Sequence, residues 1–92
     1  MVLTFEVNFV GRVQGVGFRF LCVRKATALG VKGWVRNAYK HDLVEGVFQG
    51  EKKSIDELVE YLKNNPYLIR VDNAVLSEVK TKEKFSAFEV RY

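Results

Sequence analysis

Gly11-Arg12-Val13-Gln14-Gly15-Val16-Gly17-Phe18-Arg19 places three glycines within seven positions, directly after a strand-like run and directly before a helix-like one. The chemistry such a stretch could do is anion binding. Glycine has no Cβ and tolerates positive φ, so its backbone can curl and turn N–H groups inward. Peptide N–H groups that converge at the start of a helix hold an anion, helped by the helix dipole. Arg19, in the first turn of that helix, adds a fixed positive charge and a planar fork of donors. Loop and arginine together read as a small phosphate cradle.

Other glycine-rich chemistries fit less well. A dinucleotide fingerprint needs G-x-G-x-x-G, yet Phe20 stands where the third glycine belongs. A Walker A loop ends in Gly-Lys-Ser/Thr, which is absent here. A cysteine phosphatase carries its nucleophile at the head of the loop, whereas the single cysteine, Cys22, follows it. On the glycines alone, a ligand-free strand-to-helix turn explains the stretch equally well.

The elements that must position this loop follow from periodicity. Leu3 to Val10 alternates, with Leu3, Phe5, Val7 and Phe9 on one face, as in a half-buried strand. From Phe18 the period lengthens: Phe18, Leu21, Cys22, Lys25 and Leu29 recur at helical steps, and Gly30 is placed to end the helix. On that stripe Cys22 reads as a buried small hydrophobe. Val31 to Asn37 predicts a second strand, Ala38 to Asp42 a turn, and Leu43 to Gly50 the returning strand. Gly46 within it marks a bulge or a close backbone approach. Ser54-x-x-Glu57 reads as a capping box opening a helix with Ile55, Leu58, Val59 and Leu62 on its apolar stripe, ended by Asn64-Asn65-Pro66. Val71 to Val79 and Phe85 to Tyr92 supply the last extended segments. The order is β-α-β-β-α-β with a short final strand: an α+β ferredoxin-like sandwich, an antiparallel sheet with two helices on one face, in one domain over residues 1–92.

That topology brings a second residue towards the loop. A strand-helix-strand crossover returns its second strand parallel to the first. The glycine loop and Asn37 then both leave the C-terminal ends of their strands at one edge of the sheet. A neutral amide beside an anion cradle donates to one oxygen and accepts from another, which suits it to hold a water for attack on phosphorus. Without the cradle, an asparagine at a strand end is an ordinary turn former.

The string G-R-V-Q-G-V-G-F-R resembles the first signature of the acylphosphatase family, and Gly33-Trp34-Val35-Arg36-Asn37 resembles the second. Both stand in the family's order and separation, and the similarity runs from Phe5 to Tyr92. The resemblance implies hydrolysis of acyl phosphates to a carboxylate and inorganic phosphate, without metal or organic cofactor. It implies that Arg19 is the catalytic arginine and Asn37 the water-positioning asparagine. The backbone amides of Gln14, Gly15, Val16, Gly17 and Phe18 would cradle the phosphoryl oxygens. One departure concerns the turn after Asn37. Family members usually carry a glycine four residues on, whereas Ala38-Tyr39-Lys40-His41-Asp42 is longer and glycine-free, so His41 or Asp42 is expected in a left-handed conformation.

Composition bounds the remaining classes. With 48% hydrophobic and 28% charged residues the chain reads as an ordinary soluble domain. It has no apolar run of the roughly 20 residues that span a bilayer, and MVLTFEVNF does not show a signal peptide's basic start followed by an apolar stretch. One cysteine forms no internal disulfide and fits a reducing cytoplasm. One histidine and one cysteine make no ordinary zinc site, and His41 reads as an exposed turn residue. A net charge of +4 favours anionic partners in general. An RNA-recognition domain shares the strand order, and Lys32-Gly33-Trp34 opens like its aromatic motif, but Val35-Arg36-Asn37 breaks it. A catalytically idle anion-binding module is the other alternative. The expected partner is a small acyl phosphate, with no nucleic acid and no membrane, and nothing demands more than a monomer.

Overall fold

The computed structural model describes residues 1–92. Its elements are β1 (Val2–Gly11), α1 (Phe18–Leu29), β2 (Lys32–Asn37), β3 (Leu43–Glu51), α2 (Lys52–Lys63), β4 (Val71–Glu78) and β5 (Phe88–Val90). They form a five-stranded sheet in the order β4-β1-β3-β2-β5. Both helices pack on it, α1 over β2 and β5, α2 over β3 and β4, and they touch each other. This is the ferredoxin-like α+β arrangement that the sequence predicts.

The sheet is mixed rather than wholly antiparallel, because β5 runs parallel to β2. The reason lies in the segment that feeds it. After β4 the chain crosses the edge where β1 and β2 begin, and must enter β5 in their direction. Buried Gln49 fixes that crossing: its Nε2 donates to Glu83 O at 2.8 Å and Thr4 Oγ1 at 3.0 Å, while its Oε1 accepts from Phe85 N at 3.0 Å.

The alternation in β1 buries Phe5, Val7 and Phe9, and a chain of aromatic contacts continues from there. Phe9 meets Phe18 edge-on at 5.2 Å and Phe48 at 5.9 Å; Phe48 meets Phe88 at 5.6 Å. Such pairs contribute beyond the area they bury. Phe18 is the first residue of α1, so this contact pins the helix start, and with it the loop, to the middle strands of the sheet. Ile55, Leu58 and Leu62 of α2 are fully buried from the same side.

Two local expectations change, and a third resolves to one of its alternatives. The helix expected to open at the Ser54 capping box begins at Lys52, and no side chain caps it. β3 runs into α2 without a connecting loop, so Glu51 is both the last strand residue and the N-cap, and Ser54 already lies inside the helix. The Glu51 carboxylate faces the N-terminal amine at 2.8 Å instead. Neither His41 nor Asp42 is left-handed; the sole non-glycine residue with positive φ is Leu68, at 59°. Gly46 is a close approach and not a bulge, since its register with Val7 and Val35 is unbroken. A Cβ there would stand 2.4 Å from Trp34 O and 2.9 Å from Val35 Cγ1.

Gly46→Ala should therefore destabilise the fold by roughly 1–3 kcal/mol through overpacking, lowering the thermal midpoint by about 4–8 °C per kcal/mol in a chain of this size; calorimetry reads this directly. Burial also pushes the Cys22 thiol well above its ordinary range by desolvating the thiolate. Only the thiolate reacts, so Cys22 should resist Ellman's reagent at pH 8 in the native protein and react at once in denaturant.

Candidate active site

The glycine loop hangs between two fixed ends. At its start, Gly11 N donates to Asp42 O and Arg12 N to Arg70 O, each at 2.9 Å, tying the end of β1 to both neighbouring segments. Val13 is buried beneath the loop, and Phe18 is buried at its far end. Between them Gly15 and Gly17 take φ of 74° and 81°, and Gly17 is the N-cap of α1. A Cβ at either would meet only open space. Conformation rather than crowding demands glycine here, since an L side chain in this region costs about 1–2 kcal/mol.

The curl leaves the loop donors free. The amides of Gln14, Gly15, Val16 and Gly17 donate no hydrogen bond within the chain, and Phe18, at the first helical position, has no intrahelical acceptor. A surface pocket of about 200 Å³ lies against this loop, lined by Val13, Gly15, Gly17, Phe18, Arg19 and Phe20, with Val90 and Tyr92. Half-buried Arg19 forms no ion pair with any carboxylate. Its guanidinium carbon lies 5.3 Å from the centre of the Tyr92 ring, a cation–π contact that holds it without neutralising it. The site thus combines free backbone donors with an uncompensated positive charge.

Asn37 stands at the end of β2, opposite Val44. Val10, near the end of β1, pairs with Leu43 on the other side of β3. Asn37 and the loop therefore emerge at one sheet edge about 10 Å apart, two strand spacings. The Asn37 Oδ1 is buried without a hydrogen-bond partner, a state that costs about 1–3 kcal/mol for an ordinary acceptor.

Two contributors are absent from the sequence reading. The side chain of Gln14 shares the two hydrogens of its Nε2 among Ala38 O at 3.1 Å, Lys40 O at 2.7 Å and Leu43 O at 2.7 Å. It fastens the loop to the residue after Asn37 and closes the glycine-free turn, whose ends also pair through Ala38 N and Leu43 O at 3.0 Å. With its carbonyls held this way the turn needs no left-handed residue. Tyr92 reaches Arg19 because β5 parallels β2, with Val90 beside Val35, and delivers the following residues to the same edge as Asn37. The sequence places Tyr92 at the end of a last strand running from Phe85, whereas β5 ends at Val90 and leaves Tyr92 just beyond it.

His41 is exposed in the turn, and Cys22 is in the core. No three His, Cys, Asp or Glu side chains gather into a set able to hold a metal ion, and no helix is long and apolar enough to cross a membrane. Trp34, the aromatic that suggested an RNA platform, has the guanidinium carbons of Arg36 and Arg91 at 5.1 Å and 4.9 Å from its ring centre.

Comparison with known proteins agrees with this architecture. The acylphosphatase family model matches residues 5–90. An acylphosphatase from Geobacter sulfurreducens is 42% identical over 86 residues, covering 94% of this chain and 93% of that protein. The structure of an acylphosphatase from Coxiella burnetii shares the fold with a TM-score of 0.88 at 39% identity, over 98% of this chain and 93% of that one. The Bacillus subtilis acylphosphatase crystal structure gives 0.89 at 29% identity over the whole of both chains. Fold and comparisons together define a small α+β hydrolase. The chain belongs to the acylphosphatase family, whose substrates are small acyl phosphates.

Gln14→Ala should loosen the Ala38–Leu43 turn while leaving the core intact. The expected result is a stability loss of about 1–2 kcal/mol for the hydrogen bonds removed, with faster hydrogen exchange confined to the Ala38 and Leu43 amides.

Proposed function

We propose that this chain hydrolyses the carboxyl–phosphate bond of acyl phosphates, with the amides of Gln14, Gly15, Val16, Gly17 and Phe18 and the guanidinium of Arg19 holding the phosphoryl group. The observation that carries the reading is the meeting of free loop amides and an unpaired cation at one pocket. Phosphoryl transfer to water depends on positioning and on charge stabilisation more than on covalent help from the protein. The fixed donors match the charge on the phosphoryl oxygens, which grows as the bond to the leaving group lengthens.

In this reading Asn37 positions the nucleophile. A water O–H would supply the donor its Oδ1 lacks and aim the water oxygen at phosphorus. As the new P–O bond forms, the bond from phosphorus to the acyl oxygen breaks and the carboxylate leaves with its electron pair. The proton of the attacking water ends on a phosphate oxygen, so no strong general base is required. A carboxylate is a good enough leaving group for this to proceed without a metal or organic cofactor. Every residue named lies on one chain, so a monomer suffices.

Benzoyl phosphate should be cleaved in the presence of a chelator while an alkyl phosphate monoester is not, as a phosphate-release assay would read. Arg19→Ala should lose turnover and also weaken inorganic phosphate binding at least tenfold, since a charged hydrogen bond contributes about 1.5–3 kcal/mol. Asn37→Ala should keep phosphate affinity but lose turnover by on the order of 10²–10³, the scale of one lost transition-state contact. Full activity in the asparagine variant would remove the water-positioning role.

A further inference from the structure

Val16 and Gly17 border not only the cradle but also a groove of about 190 Å³ between α1 and the loop after α2, lined by Phe20, Leu21, Arg24, Tyr67 and Ile69. Resting on the phosphate reading above, we infer that this groove receives the acyl end of the substrate and favours aromatic acyl groups. A phosphoryl group in the cradle can send its acyl end towards this wall or towards the opposite one, where Arg12, His41, Asp42 and Arg70 surround a wider opening of about 430 Å³. The opposite wall carries charges of both signs, and its Arg70 is paired with Asp72 at 3.1 Å. The first wall is apolar apart from Arg24, and it shares Gly17 and Phe20 with the pocket beside Arg19, which the opposite wall does not.

Two large apolar side chains of its lining stand at the surface: Phe20 is 66% exposed and Tyr67 57%. Covering them with an apolar ligand is favourable. The exposure of Tyr67 is built rather than incidental. Leu68, the next residue, is the one non-glycine residue in the left-handed region, a strained state that persists only where its surroundings impose it. Buried Asn65 imposes it with all its capacity: Nδ2 donates to Leu62 O at 3.0 Å and Ile69 O at 2.9 Å, and Oδ1 accepts from Tyr67 N and Ile69 N, both at 3.1 Å. Arg24, in no ion pair, adds a cation at the groove, which attracts the face of an aromatic ring more than a saturated chain.

The test is calorimetric binding of two non-hydrolysable phosphonates, 2-oxo-2-phenylethylphosphonate and 2-oxopropylphosphonate, to the native protein and to Tyr67→Ser and Phe20→Ser. Both positions are exposed, so the variants should fold, which circular dichroism checks. The phenyl compound should bind about tenfold more tightly, at the lower end of discrimination by one apolar contact, and that ratio should collapse towards one in both variants. Equal affinities in the native protein, or a phenyl preference untouched by both substitutions, would overturn the inference. So would tighter binding of a succinyl-type analogue, which would move the acyl end to the wall of Arg12 and Arg70. Because binding is read without turnover, the two claims separate. Phenyl preference with no hydrolysis would keep the groove and reject the activity, whereas hydrolysis with no acyl preference would reject the groove alone. Failure of both phosphonates to bind would reject the cradle and the groove together.

Discussion

Secondary structure consumes most backbone donors, and the run from Gln14 to Phe18 is where this chain leaves them over. Free N–H groups are tolerable only where water can reach them, because a buried orphan costs about 1–3 kcal/mol. The loop therefore has to stay at the surface, yet it must not move. Left-handed Gly15 and Gly17 give it its curl, and the burial of Val13 and Phe18 on either side removes its freedom. The hydrogen bonds of Gly11 and Arg12 to two different segments fix its origin. Much of the sheet's centre can be understood as an anchor for these few peptide groups.

The strand order supplies the rest of the site. With β3 between β1 and β2, two parallel strands end on the same edge, and one side chain, Gln14, spans the gap between what they carry. The short β5 is placed so that Tyr92 arrives beside Arg19. An aromatic face orients a guanidinium without competing for its charge as a carboxylate would.

The glycine loop, Arg19, Asn37 and the element order were legible in the sequence because each is written locally, as a spacing or a change of period. What was not legible is set by contacts between distant segments. Gln14 binds carbonyls 24 to 29 positions away, and no local pattern distinguishes such a glutamine from a solvated one. The parallel β5 depends on how Gln49 guides a crossing segment from the far side of the sheet. The capping box at Ser54 was a genuine local signal overridden by a strand that runs directly into its helix. The left-handed residue expected in the turn after Asn37 sits instead at Leu68, because a donated side-chain amide relieves the first turn and Asn65 constrains the second.

In the proposed mechanism the loop's peptide groups, with Arg19, hold a phosphoryl group. Titrating inorganic phosphate into ¹⁵N-labelled protein while following the backbone amide resonances reads this contact residue by residue. The amides of Gln14, Gly15, Val16, Gly17 and Phe18 should shift together along one saturable isotherm, accompanied by the Arg19 side-chain Nε–H. Unmoved loop amides, with saturable shifts only at a distant basic segment such as Lys80 to Lys84, would contradict it.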